Sequence, residues 1–296
     1  MSSYVLSQDS KASPIRLCLP ITQQYGGPAP LPPPTSTRRE SRKNNIYHFL
    51  AFISSTFNLP KLSLTQLPVL DIAGGKGDLS WLLQNIHTVH SCVIDPHNTN
   101  HKHLEKSLSF LLAHPAECSL RKIVTESTHQ PLALYVDKIP ARLVTPKHLR
   151  IHLTADIIAT LHDPEKWGMA FTRESSLSPP TANEIRSPES TNRITSPSLA
   201  RTTLLSAGLI LGFHPDAATE PAIDLALRLT IPFAIVPCCV TPHLFPSRPV
   251  KTHEEFVDYL QAKHVRMRKA VIALNKESAK NVVLFMREDD YITEIT

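Results

Sequence analysis

VLDIAGGKGDLSWLL, residues 69–83, joins an apolar run to a helical pattern through a knot of glycines. The chain has only 8 glycines in 296 residues, yet Gly74, Gly75 and Gly77 fall within four positions. Glycine loses more conformational freedom on folding than other residues, so such a cluster marks a tight turn or a close backbone approach. The apolar run 69–73 suits a short strand buried on both faces. From Asp78 to about His87 the pattern is helical. The reading therefore starts as strand, glycine turn, helix.

Working outward, the same alternation continues. Ile46, Phe49, Leu50, Ile53 and Phe57 fall at helical spacing behind the basic stretch RRESRK (38–43). SCVID (91–95) is the next strand, and Asn98 or Asn100 caps a helix running to about Ala113. LALYV (132–136) suits a strand, and HLRIHLTADIIATL holds either a strand or a helix. AGLILGF (207–213) is a strand, followed by a helix from Ala217 to Leu229. FAIVPCC (233–239) is a further strand, and 252–264 is a helix with Thr252 as cap and Glu255 in the capping-box place. RKAVIALN and NVVLFMRE close the chain as a hairpin. The sum is an α/β fold, with a mostly parallel sheet, one antiparallel strand in the C-terminal hairpin, and helices on both faces.

Composition sets the borders. Prolines number 26, and GGPAPLPPPTST lies in an N-terminal tail, 1–37, expected to be disordered. One domain spans 38–296, interrupted at 172–200 by a Ser/Pro-rich stretch with three Ser-Pro pairs, expected to be a disordered insertion. The net charge of +5 permits an anionic partner such as RNA without requiring one. Five cysteines without framework spacing favour a reducing compartment, cytoplasm or nucleus. No apolar run approaches the roughly 20 residues that span a bilayer, so no membrane partner is expected.

Three ligand patterns compete for the glycine turn. A P-loop needs G-x-x-x-x-G-K-[ST], but Lys76 is followed by Gly77, so that pattern fails. The nicotinamide fingerprint G-x-G-x-x-G fits Gly75 to Ser80 except in its last place. Asp71-Ile72-Ala73-Gly74-Gly75-Lys76-Gly77 matches [DE]-x-[GA]-x-G-x-G. It resembles motif I of the class I S-adenosylmethionine (SAM)-dependent methyltransferases. That resemblance implies a Rossmann-like sheet with a reversed strand in the C-terminal hairpin. It also implies SAM as cofactor, held by Asp71, Ala73, Gly74, Gly75 and Gly77. Asp95, followed by Pro96, stands 24 residues after Asp71, where a carboxylate accepts hydrogen bonds from a ribose in either family.

The second half sharpens the likeness. GFHPDAATEPAIDLAL (212–227) and FAIVPCCVTPHLFP (233–246) resemble the branch that holds the tRNA acceptor-stem 2′-O-methyltransferases and the methyltransferase-like proteins related to them. His214, Ala218, Thr219, Glu220 and the Cys238-Cys239 pair stand at the places that branch marks. Pro215-Asp216 and Val240-Thr241 depart from it. The likeness covers roughly residues 42–286. It implies RNA as substrate and methyl transfer to oxygen or nitrogen; DNA is not expected. The alternatives are an adaptor that keeps the fold without turnover, and a nicotinamide-dependent oxidoreductase.

His214 and Asp216 follow the fourth core strand, where open α/β sheets bind ligands, and are the expected catalytic pair for orienting or deprotonating the acceptor. The competing reading makes Asp216 the cap of the next helix. Cys238 and Cys239 are expected in a strand, one facing the core, rather than as a nucleophile. A zinc set of Cys238, Cys239, His243 and His214 suffers from adjacent cysteines, and His97, His101 and His103 are expected to be solvated. No metal is expected.

Overall fold

The computed structural model describes residues 37–113, 143–179, 181, 191–240, 248, 250–272, 274 and 280–292. Helices α1 (Thr37–Thr56) and α2 (Leu59–Thr65) lead into β1 (Val69–Ile72), α3 (Asp78–Ile86), β2 (Ser91–Ile94) and α4 (Lys102–Ala113). The middle of the chain gives β3 (Lys147–Leu149), α5 (Ala155–Thr160), α6 (Pro164–Leu177), β4 (Arg193–Ile194) and α7 (Pro197–Leu205). Then come β5 (Leu209–Phe213), a 3-10 turn (Asp216–Ala218), α8 (Thr219–Leu229) and β6 (Phe233–Val236). Helix α9 (His253–Gln261) and the hairpin β7 (Arg268–Val271) and β8 (Val282–Met286) complete the domain.

Among the described residues the strands form one sheet in the order β4-β3-β2-β1-β5-β6-β8-β7. Strands β1 to β6 pair in parallel, while β8 runs against both β6 and β7. The expected α/β fold with a mostly parallel sheet and a reversed C-terminal strand is what forms. The chain turns outward on either side of β1, which pairs with β2 on one edge and β5 on the other. Such a switch in direction opens a crevice beyond the carboxyl end of the strand, the usual ligand position in open α/β sheets.

Alternation along the strands divides the core. Val69, Leu209, Leu211 and Val236 pack with α1, α3 and α4; Leu70, Ile72, Ile210 and Ile235 pack with α5 to α9. Helices from the first half of the chain therefore cover one face and those from the second half the other. The largest buried side chains, Trp81 and Trp167, sit on opposite faces.

Helix starts follow the local chemistry. Thr154, Asp163, Ser196 and Thr252 each accept a backbone N–H of the first turn, and Thr252 with Glu255 completes the expected capping box. The unstructured insertion expected over 172–200 is corrected at both ends: α6 continues to Leu177, and β4 and the start of α7 lie at 193–200. The Ser-Pro pair at 196–197 is a cap followed by a proline at the first helical position, where its missing N–H has no partner to lose. The stretch 147–160 contains both a strand and a helix rather than one of them. The tail over 1–36, the strand at 132–136 and residues 182–190 lie outside the described residues. No helix among the described residues is long and apolar enough to cross a membrane.

Candidate functional site

The turn after β1 is built around a buried acid. Asp71 is 1% exposed, and its Oδ2 accepts the Ser80 backbone N–H at 3.3 Å and the Ser80 hydroxyl at 3.1 Å. Burial pushes its carboxyl up to about 7, against the lowering effect of the two Ser80 bonds and with help from the charges of Asp95 and Asp78. A Cβ on Gly74 would lie 2.6 Å from the Asp71 carboxyl carbon, so only glycine lets the backbone cross over that acid. Gly75 has φ +56° and Gly77, which precedes α3, has φ +80°. Ala73 also takes a left-handed conformation, φ +50°.

The end of β2 is tied to this turn. Asp95 is buried; its Oδ2 accepts the Gly75 N–H at 2.9 Å and its Oδ1 the His97 N–H at 2.7 Å. His148 Nε2 lies 2.8 Å from the Asp95 carbonyl, and burial pulls its pKa down, so a neutral ring donates that bond. Arg150 donates to the Pro96 carbonyl at 2.7 Å, and Arg150 and Arg193 share the Asn98 side-chain oxygen at 3.0 and 2.9 Å. Residues 95–98 are thus held from β3 and β4.

A cavity of about 320 Å³ opens over the turn, lined among others by Ile46 of α1, Asp71, Gly74, Gly75, Asp78 and Phe213. Ala73 lines it as well; Gly77, Asp95 and Pro96 do not, and Asp95 reaches it through the Gly75 N–H. Its wall carries two carboxylic acids and one lysine, Lys76, a balance suited to a ligand with a positive group.

His214 and Asp216 follow β5 at the same edge. Both have left-handed backbones, φ +58° and +46°. Such conformations cost a non-glycine residue on the order of 1–3 kcal/mol and gather at functional sites. His214 does not line the cavity, but its ring centroid lies 4.3 Å from that of Phe213, which does. Its Nδ1 is buried and finds no partner among the described residues. Burial lowers its pKa, against the pull of Asp216, and keeps the ring neutral and able to accept a proton. Asp216 is exposed and does not cap α8, whose first turn is reached through the 3-10 turn instead.

The cysteines differ from expectation. β6 ends at Val236, so Cys238 and Cys239 lie past it in irregular backbone, where strand alternation no longer sends them to opposite faces. Cys238 donates its thiol to Asp216 Oδ1 at 3.0 Å. Burial, then the Asp216 carboxylate, push that thiol well above its usual pKa, which argues against a resting thiolate nucleophile. Glu220 serves structure: Arg248 at 3.0 Å, Tyr259 at 2.6 Å and Lys263 at 2.8 Å saturate its carboxylate. The expected solvation holds for His97, while His103 faces Asp78 at 3.2 Å and His101 is buried at 1% exposure. His243 lies outside the described residues.

No model of a known protein family matches the chain, and no curated protein matches it at a significant level. Several contributors carry no sequence signal of their own. Ser80, Phe213 and Ile46 look like ordinary core positions, and His148, Arg150 and Arg193 lie in or just after strands far from the turn in sequence. For Ser80 there is a clue: it fills the last place of the nicotinamide fingerprint, where glycine or alanine stands.

Proposed function

We propose that this protein is a class I SAM-dependent methyltransferase that transfers a methyl group to an oxygen or nitrogen of RNA. The observation that carries the reading is the buried Asp71 carboxyl under Gly74 and Gly75, joined through the Gly75 N–H to Asp95. The residues fit the cofactor. A Cβ on Gly75 would meet nothing within 4 Å among the described residues, so the turn faces open space into which a ligand can come close to the backbone. Asp71, protonated easily while buried alone, would be drawn to its charged form by the cofactor's ammonium. Asp95 Oδ2 has a further lone pair for a ribose hydroxyl beside the Gly75 N–H it already accepts, while Oδ1 meets both the backbone N–H and the ring Nδ1 of His97. Ser80, turned to Asp71 rather than leaving a bare backbone, weighs against the nicotinamide alternative.

SAM supplies a methyl group on a cationic sulfonium, which leaves with its bonding pair on the sulfur. The chain's own task is to align the acceptor and take its proton. Neutral His214, at the cavity's Phe213 wall, is suited to accept it. RNA is favoured because Ile46 lines the cavity and the basic stretch 38–43 lies within the preceding turns of α1, roughly 5–12 Å along the helix axis.

Calorimetry with SAM and its demethylated product tests the reading. Binding to the wild type is expected, with loss in Gly75→Val and Asp95→Ala while both still unfold cooperatively. Undiminished binding in both variants, or a stronger response to nicotinamide dinucleotides, would overturn it.

A further inference from the structure

The carboxyl edge beyond β5 and β6 brings together three metal-ligating side chains from two separate loops. One ligand atom each from Asp216, Cys238 and Cys239 all lie within 4.8 Å of one another. A tetrahedral zinc ion with bonds of about 2.0–2.3 Å sets its ligand atoms roughly 3.4–3.8 Å apart, so the cluster needs only to close by about 1 Å at its widest. The Cys238–Asp216 pair is already in contact at 3.0 Å through the thiol proton. A divalent cation can take the place of that proton without moving either side chain far.

We infer that Asp216, Cys238 and Cys239 form a three-ligand site for a thiophilic divalent cation of the zinc type, with one coordination position open to solvent. The backbone makes the arrangement possible. Adjacent cysteines in a strand would point to opposite faces, but these two follow Pro237 beyond the end of β6. The left-handed turn at His214 and Asp216 brings the carboxylate across to meet them. Asp216 is exposed and Cys239 half-exposed, so an ion enters from solvent and the fourth ligand is a water. On binding, both thiols give up their protons to solvent and form metal–sulfur bonds, so affinity falls as pH falls. Lys280, which donates to the Cys238 carbonyl, opposes the cation's charge but favours the thiolates that hold it.

A soft ligand pair with one carboxylate and an open position is the pattern of a working metal rather than a purely structural one. Its use would be to lower the pKa of a hydroxyl bound in the open position, with Asp216 a ligand and His214 the proton acceptor. That use rests on the methyltransferase reading; the site itself does not.

The test is a titration of the full chain, reduced with a phosphine and stripped with chelator, using Co²⁺ in the absence of SAM. One equivalent should bind with a thiolate-to-cobalt charge-transfer band and tetrahedral d–d bands, and Zn²⁺ should displace it. The charge-transfer band should be lost in the Cys238→Ser/Cys239→Ser double variant. In Asp216→Asn, an exposed change that leaves the core untouched, affinity should fall by at least about 10-fold. Absence of the band in the wild type, its survival in the double variant, or unaltered affinity in Asp216→Asn would overturn the site. Cobalt binding without SAM binding would keep the metal site and remove the methyl-transfer reading.

Discussion

At the scale of single residues, His214 and Asp71 carry opposite tasks. His214 sits in a strained left-handed backbone with a buried Nδ1 that has no partner among the described residues. Replacing it with alanine should lower single-turnover methyl transfer to RNA on the order of 10²-fold, the usual contribution of a positioned base. SAM affinity should stay within a few-fold, because His214 does not line the cavity. Equal loss of affinity and turnover would mean that it acts on the cofactor instead. Asp71 is the destabilising member. Its carboxyl ionises at about 3.8 when unfolded and about 7 when folded. The folded state is therefore favoured below pH 4, loses that advantage as pH rises to about 7, and stays penalised above it. The penalty is on the order of 4 kcal/mol. Asp71→Asn should raise the melting temperature of the ligand-free protein more at pH 8 than at pH 5, and should weaken SAM binding. Melting curves at the two pH values check the first, calorimetry the second; an equal gain at both pH values would show that Asp71 is charged in the fold.

Among the elements, α6 and α7 show why a polar stretch can still be ordered. Trp167 of α6 is 1% exposed, stacks near Phe171 and donates its indole N–H to the Pro197 carbonyl at 2.7 Å. Removing it leaves a large void and gives up the bond to the Pro197 carbonyl. Trp167→Ala should lower stability by about 3–5 kcal/mol in urea titrations, whereas Trp167→Phe, which keeps most of the volume and gives up only the hydrogen bond, should lose about 1 kcal/mol. Equal effects would mean that the hydrogen bond, not the volume, dominates. Composition pointed to disorder over 172–200 because Ser and Pro are counted alike in loops and in helix caps. Asp163-Pro164 and Ser196-Pro197 are caps with a proline behind them, and Trp167, Ala170, Phe171, Ala200 and Leu204 supply the buried stripe. By contrast, Thr252 and Glu255 were legible because each has one partner three residues away. The same local rule made Asp71, Gly74 and Gly75 readable as one turn. The Cys238–Asp216 contact was not, because it joins residues of two loops that only the sheet order brings together.

For the whole molecule, sheet order decides what its neighbours in sequence cannot. Alternating strand and helix patterns announced the parallel sheet, and the terminal hairpin announced the reversed strand. The short β4 at the edge escaped notice because two residues carry no periodicity. The position of β1 also has a consequence during synthesis. Val69 pairs with Ser91 on one side but with Leu209 on the other. A ribosome adding roughly 5–20 residues per second leaves that second edge unpaired for on the order of ten seconds after the first is closed. Through that interval the edge of Val69, Leu70 and Asp71 presents open backbone donors and acceptors, the kind that recruits foreign strands. The strand on which the proposed cofactor site is founded is thus the one most exposed to misassembly while the chain is still being made.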